Sequence, residues 1–243
     1  VEKELTIMIN AISPGILTGN DLSPGSTKRS PIIQERLAEA GRVALSFNLL
    51  NITEAISNYL NKVRQLSQKA RIMLEYIKAE YLLKKPGPVV DPKTNMRLNS
   101  VQIKRQEIER RSEALRIMEK VMGTNKRVND PELIYEGAII IWNLSLPFLN
   151  ANHKQLIYEP FVAACNLLEM IQSSNVQLRA NFHLEIAKIE IEQGFFMKAE
   201  QNLNKGLALD YSIAINKIKE KPNPEEDLSL YQRPYDRYLK LLQ

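Results

Sequence analysis

Glycine and proline are scarce along most of this chain and bunched where they occur. Its 243 residues hold nine glycines and twelve prolines. Many of these fall in three stretches: Ser13–Pro31, Lys84–Ser100 and Lys219–Ser229. Both residues punctuate regular structure, so these stretches read as loops or linkers. The long intervals between them lack the frequent turns that strands would need, and they predict helices. The chain is therefore expected to be all-α.

Helix start and stop signals divide those intervals further. Ser30-Pro31 caps and opens a helix to about Phe47. A second helix begins near Thr53, and a third spans roughly Leu66 to Leu83. A fourth runs from about Ser100 to Val121, with Gly123 as its expected stop. Asp130-Pro131 opens a fifth, ending near Phe148. A sixth covers about Lys154 to Gln172 and is interrupted or entered by Pro160. Two more flank Gly194, and Tyr211–Lys219 and Ser229–Gln243 are expected to be helical too. Leu5, Ile7 and Ile9 alternate as in a strand, but the all-helical context favours a helix over Val1–Ile12. The expected organisation is the end of a preceding helix at 1–12, a linker at 13–30 and helical repeats at 31–83. A loop follows at 84–99, then further repeats at 100–218, a loop at 219–228 and the start of another helix at 229–243. The C-terminal "YDRYLKLLQ" reads as a helix cut in mid-course, so an excerpt of a longer protein is expected.

The stretch "ANFHLEIAKIEIEQGFFMKAEQNLNKGLALDY" (Ala180–Tyr211) resembles a tetratricopeptide repeat, a helix–turn–helix unit of about 34 residues. Ala187 and Ala199 are small enough to let two antiparallel helices approach closely. Gly194 supplies the turn, and Gly206 falls where the first helix of a following unit would pack. His183 and Glu190 occupy positions where the repeat has aromatic residues, and Tyr211 replaces its closing proline. "NITEAISNYLNKV" is a weaker copy, and its offset is no multiple of the repeat length. The expected architecture is an irregular tetratricopeptide-like α-solenoid of stacked antiparallel helix pairs.

Chemistry-bearing motifs are missing from the sequence. Neither histidine, His153 or His183, has a second ligand at zinc spacing. "HLE" at His183–Glu185 lacks the PCxxC of a deaminase, and no phosphate-binding glycine loop or nucleophile elbow occurs. The lone Cys165 lies in the apolar "FVAACNLLEMI" and reads as a small core residue rather than a nucleophile. No catalytic residue, cofactor or metal is expected. No uninterrupted apolar run is long enough to span a bilayer.

Charge is the other lead. Arg97–Arg127 carries nine basic and four acidic side chains, and thereby the whole net charge of +5. Val101, Ile108, Leu115 and Met122 recur every seven residues, joined by Met118, and this stripe should face the core. Arg105, Arg116 and Lys120 lie outside it. They form either a solvated charged face or a surface for an acidic protein partner. Nucleic acid fits less well, because no aromatics interleave the cations.

The order of segments from Arg111 to Asp210 resembles the cilia- and flagella-associated protein 46 family. A basic helix is followed by "IWNLSLPFL" (Ile141–Leu149), a partner helix and a repeat beginning "FHLEIAKIE" (Phe182–Glu190). Trp142, Asn143, Leu146 and Pro147 carry the most specific part, and weaker similarity reaches back to Pro31. Leu144 or Ser145 stands where the family has a cysteine-like position. The resemblance implies a large, repeat-rich structural protein in the cytoskeleton of motile cilia. Its place would be the axonemal central apparatus, in a projection on a central-pair microtubule. Implied partners are other cilia- and flagella-associated proteins, calmodulin and tubulin. From the residues alone, Trp142 is expected to pack against a paired helix. Two other functions stay open: a soluble tetratricopeptide adaptor for short peptides, with Arg179 and Lys188 as its nearest groove cations, and a basic helical-repeat RNA binder.

Overall fold

A computed structural model of the chain describes residues 2–12, 16–17, 30–88, 90, 97–149 and 153–220. Among the described residues there are nine α-helices: α1 (Glu2–Ile12), α2 (Pro31–Ser46), α3 (Leu50–Lys62), α4 (Gln68–Lys84), α5 (Ser100–Val128), α6 (Pro131–Ser145), α7 (Gln155–Met170), α8 (Val176–Glu192) and α9 (Phe196–Glu220). Their only β-type pairing is an isolated antiparallel bridge, Val90 to Arg97, in the loop before α5. The expected fold class is borne out: the protein is all-α and built by helix-pair packing. It divides into two compact units, Val1–Leu133 and Ile134–Gln243. The expected linker at 13–30 lies almost wholly outside the described residues, as do residues 221–243 with the last expected helix.

In the first unit α2 packs on α3 and α4, and α4 packs on α5. Small residues make this possible. Ala38, Ala40 and Ala44 of α2 are buried. A Cβ on Gly41 would sit 3.0 Å from Ile77 Cδ1 and 3.2 Å from Ile56 Cγ2. Around this contact lie Leu37, Leu45, Ile56, Leu60, Ile72 and Ile77, all fully buried. Polar side chains fix the connections. Gln34 donates to Gln65 O at 3.0 Å and accepts from Ser67 N at 2.7 Å. Ser67 in turn caps α4 by accepting from Ala70 N. The Tyr76 hydroxyl donates to Leu133 O at 2.7 Å and accepts from Asn125 Nδ2.

In the second unit α7 packs on α8, and α8 and α9 form a helical hairpin. Its turn is a Schellman motif. Gly194 has φ +79°, Phe195 N donates to Glu190 O, and Gly194 N donates to Ile191 O. Ala180, Ala187, Ala199 and Leu203 form the buried seam between the two helices. The same motif closes α2 with Asn48 (φ 57°) and α7 with Gln172 (φ 47°) in the left-handed position.

Two boundary expectations need correction. α5 does not stop at Gly123 but continues to Val128, ending on Asn129 with φ 53°. Tyr211–Lys219 is not a separate helix but the continuation of α9. The helix expected over about Lys154–Gln172 is present as α7, and Pro160 lies inside it, forfeiting one bond to the preceding turn. α6 ends at Ser145, and Pro147 sits in a 3-10 turn over Leu146–Phe148.

Candidate protein-interaction surface

α5 is the helix on which the charge excess sits, and sequence chemistry sets both its ends. Asn99 accepts from Gln102 N at 2.8 Å while Gln102 Oε1 accepts from Asn99 N at 2.9 Å, a reciprocal capping box. Lys126 and Arg127 lie in the last turn, beside the negative end of the helix dipole. Arg110 Nη1 donates to Lys85 O at 2.7 Å, tying the middle of α5 to the end of α4. The guanidinium rests against Gly87, whose missing side chain leaves room for it.

The expected core stripe holds only in the second half of α5. Leu115, Met118 and Met122 are buried, but Val101 is 72% exposed and Ile108 only half-buried. The seven-residue pattern gave the right face and the wrong extent, because the first turns of α5 have little packed against that face.

The outward charges fall into two groups. Arg105 Nε lies 3.1 Å from Glu109 Oε1, and Arg111 Nη2 lies 3.1 Å from Glu107 Oε1. Arg116 Nη1 is 3.5 Å from Glu113 Oε2. These intrahelical pairs contribute little stability; the first two neutralise the first half of the helix locally, and Arg116 reaches back to Glu113 from the second half. Beyond Glu113 the helix carries one acidic residue, Glu119, against Arg116, Lys120, Lys126 and Arg127. Of the cations singled out from sequence, Arg105 thus sits in the zwitterionic half. Arg116 and Lys120 belong to the cationic half, with Lys126 and Arg127. The four lie within twelve consecutive residues, and a charge count over that shorter window would have separated them.

The remaining singled-out residues lie in the second unit, on α6, α8, α9 and the α8–α9 turn. Trp142 of α6 stacks on Phe161 with centroids 5.6 Å apart, and meets Phe182 edge-on at 5.3 Å. Phe161 and Phe182 meet edge-on at 4.9 Å, closing a three-ring cluster across α6, α7 and α8. Ala187 and Ala199 lie in the α8–α9 seam, Gly194 makes its turn, and Gly206 is buried on α9.

A part-buried polar chain crosses α7, α8 and α9 beside that seam, unannounced by any sequence motif. Tyr158 OH donates to Glu190 Oε1 at 3.0 Å, and Asn202 Nδ2 donates to Glu190 Oε2 at 2.8 Å. Asn202 Oδ1 faces His183 Nδ1 at 2.9 Å. His183 Nε2 lies 3.4 Å from Glu169 Oε1 and 3.5 Å from Cys165 Sγ. Arg179 holds Glu169 through two bonds of 2.8 Å and donates to Ser173 O at 3.1 Å. This pairing lowers the Glu169 carboxyl below its usual range and raises the Arg179 guanidinium. Lys188 pairs with Glu185 at 2.6 Å. Both expected groove cations are therefore engaged with the protein's own carboxylates.

The cysteine, histidine and asparagine adjoin one another, yet the arrangement is unsuited to nucleophilic chemistry. Cys165 is buried, and burial with nearby Glu169 pushes its thiol up to about 12. A reactive cysteine needs the opposite shift and access to substrate. Among the described residues no three His, Cys, Asp or Glu side chains are grouped to hold a metal ion. No helix among them is long and apolar enough to cross a membrane.

Fold and surface define an all-α helical-repeat protein with a packed interior and a charged helix, α5. No protein-family model matches the chain. The chain is 32% identical over 127 residues to cilia- and flagella-associated protein 46 of Chlamydomonas reinhardtii, a match covering 51% of this chain. The resemblance to that family is thus borne out. The match spans 4% of the length of the curated relative.

Proposed function

We propose that this chain is part of a non-catalytic structural scaffold in motile cilia, in a projection on a central-pair microtubule. It would hold neighbouring axonemal proteins in place and so support ciliary motility. The observation that carries this reading is the 32% identity to a protein named for its association with cilia and flagella. The interior supports it. Buried His183 and Glu190 are tied to Asn202 and Tyr158 across α7, α8 and α9, which suits a part whose work is to keep its shape. Stacked helix pairs also expose long faces for neighbouring proteins. Partners would be other cilia- and flagella-associated proteins, with calmodulin and tubulin as further candidates, and Arg105, Arg116 and Lys120 would lie on the contacting helix.

Cross-linking mass spectrometry on demembranated axonemes tests this. Links from Lys104, Lys120 or Lys126 to central-apparatus proteins or tubulin are expected. Recovery of the chain only in a soluble pool would overturn the scaffold reading and return the peptide-adaptor reading, which loses support because Arg179 and Lys188 are already engaged.

A further inference from the structure

Gly123 stands in the interior of α5 with nothing among the described residues that calls for a glycine there. Its backbone is helical, and a Cβ added there would meet nothing within 4 Å. Glycine is among the least favourable residues for a helix interior. Other glycines have structural causes: Gly41 admits Ile77 and Ile56, Gly87 admits the Arg110 guanidinium, and Gly194 has φ +79°. Gly123 is exposed, so the space it leaves open faces outward.

The neighbours on that face are cations. Positions 116, 120, 123 and 127 recur at helical spacing and share one side of α5. Arg116, Lys120 and Arg127 are all exposed. Lys120 and Arg127 sit about 10 Å apart along the axis, with bare backbone between them.

We propose that Arg116, Lys120, Gly123 and Arg127 form a docking ridge for an acidic polypeptide segment, whose backbone crosses α5 at Gly123. Its carboxylates reach Lys120 on one side of the crossing and Arg127 on the other. The missing side chain lets the two backbones approach closely, and the flanking cations select an acidic sequence. A nucleic acid fits less well. No aromatic side chain lies among these cations for bases to stack on. The proposal rests on the scaffold reading for its kind of partner, another protein, and narrows the contact to the second half of α5.

The test is fluorescence anisotropy of a labelled ten-glutamate peptide with the 243-residue chain, at about 50 mM salt to limit screening. Binding is expected, weakening as salt rises. Gly123→Leu changes no charge and favours helix, and it should weaken binding about tenfold. The double variant Lys120→Glu/Arg127→Glu should abolish it. Lys62→Glu/Arg64→Glu, at two exposed cations at the C-terminal end of α3, should stay within about twofold of the parent. Circular dichroism confirms that each variant stays folded. No binding at low salt overturns the proposal. So does unchanged binding by Gly123→Leu, or equal loss from both charge-reversal pairs, which would mean a diffuse field. Tighter binding of a single-stranded RNA than of the peptide would also overturn it and assign the ridge to phosphate. Failure here, with the chain still cross-linked into axonemes, removes the ridge and leaves the scaffold reading standing.

Discussion

His183 Nδ1 lies 2.9 Å from Asn202 Oδ1, and this contact between α8 and α9 orients a part-buried chain of polar groups. Asn202 Nδ2 donates to Glu190 Oε2, so the amide presents its oxygen to the ring and the hydrogen belongs on Nδ1. The carboxylate of Glu190 accepts a second bond from Tyr158 of α7. Asn202 is thus the joint through which three helices satisfy one another's polar groups.

Removing that joint should be costly in a way its size does not suggest. Asn202→Ala leaves both His183 and Glu190 short of a partner in a buried setting. The expected loss is about 2–4 kcal/mol, measured by urea denaturation. A change below about 0.5 kcal/mol would mean that water replaces the amide and the chain is no structural joint.

Two glycines should respond with opposite signs. Gly194 has φ +79°, so Gly194→Ala forces a left-handed alanine into the α8–α9 turn and should cost about 1–2 kcal/mol. Gly123 has helical backbone and open space, so Gly123→Ala should gain about 0.5–1 kcal/mol. Thermal melts of the two single variants give both signs directly. A destabilised Gly123→Ala would show that the glycine serves the fold, and would remove the reason to seek its role in a partner.

These glycines also mark what the sequence can and cannot show. Gly194 was legible because a glycine between two helical periods has one common meaning. Gly123 had the same appearance and the opposite role, and only the continuation of α5 to Asn129 distinguishes them. Asn48 and Gln172 make the same left-handed cap as Gly194 without glycine, so nothing in their local composition announced them. Periodicity placed Leu115, Met118 and Met122 inward, but it reports which way a side chain points and not whether anything meets it. Val101 shows the difference. On the candidate surface, composition located the basic helix. Pairing of Arg105 and Arg111 with glutamates one turn away leaves the other end of it the more cationic.

Alkaline pH should loosen the fold from a predictable onset. Burial pushes the Tyr76 hydroxyl up to about 12, and burial with Glu169 does the same for the Cys165 thiol. Both groups stay neutral in the folded chain and ionise near their ordinary values when unfolded. The stabilisation is complete below about pH 8.5, where neither ionises in the unfolded state. It is lost as pH rises toward about 12, first through the thiol and then, above about pH 10, through the phenol as well. Each ionisation costs about 1.4 kcal/mol per pH unit over its range. Cys165→Ala should flatten the fall between about pH 9 and pH 10, and Tyr76→Phe should flatten it above about pH 10. Denaturation midpoints at stepped pH would read this out, and profiles unchanged by both substitutions would contradict it.

The ring cluster offers a local probe. Trp142 is the only tryptophan in the chain, and it stacks on Phe161 while Phe182 closes the third side. Phe161 and Phe182 are fully buried, so truncating either removes close ring contacts and leaves a cavity. Phe161→Ala or Phe182→Ala should each cost about 3–5 kcal/mol. Each should also shift Trp142 emission to longer wavelength while the chain is still folded, because water reaches the exposed ring edge. The two substitutions share a cavity wall, so their combined cost should differ measurably from the sum of the single costs. Strict additivity with unaltered emission would mean that the three rings neither pack nor act as one cluster across α6, α7 and α8.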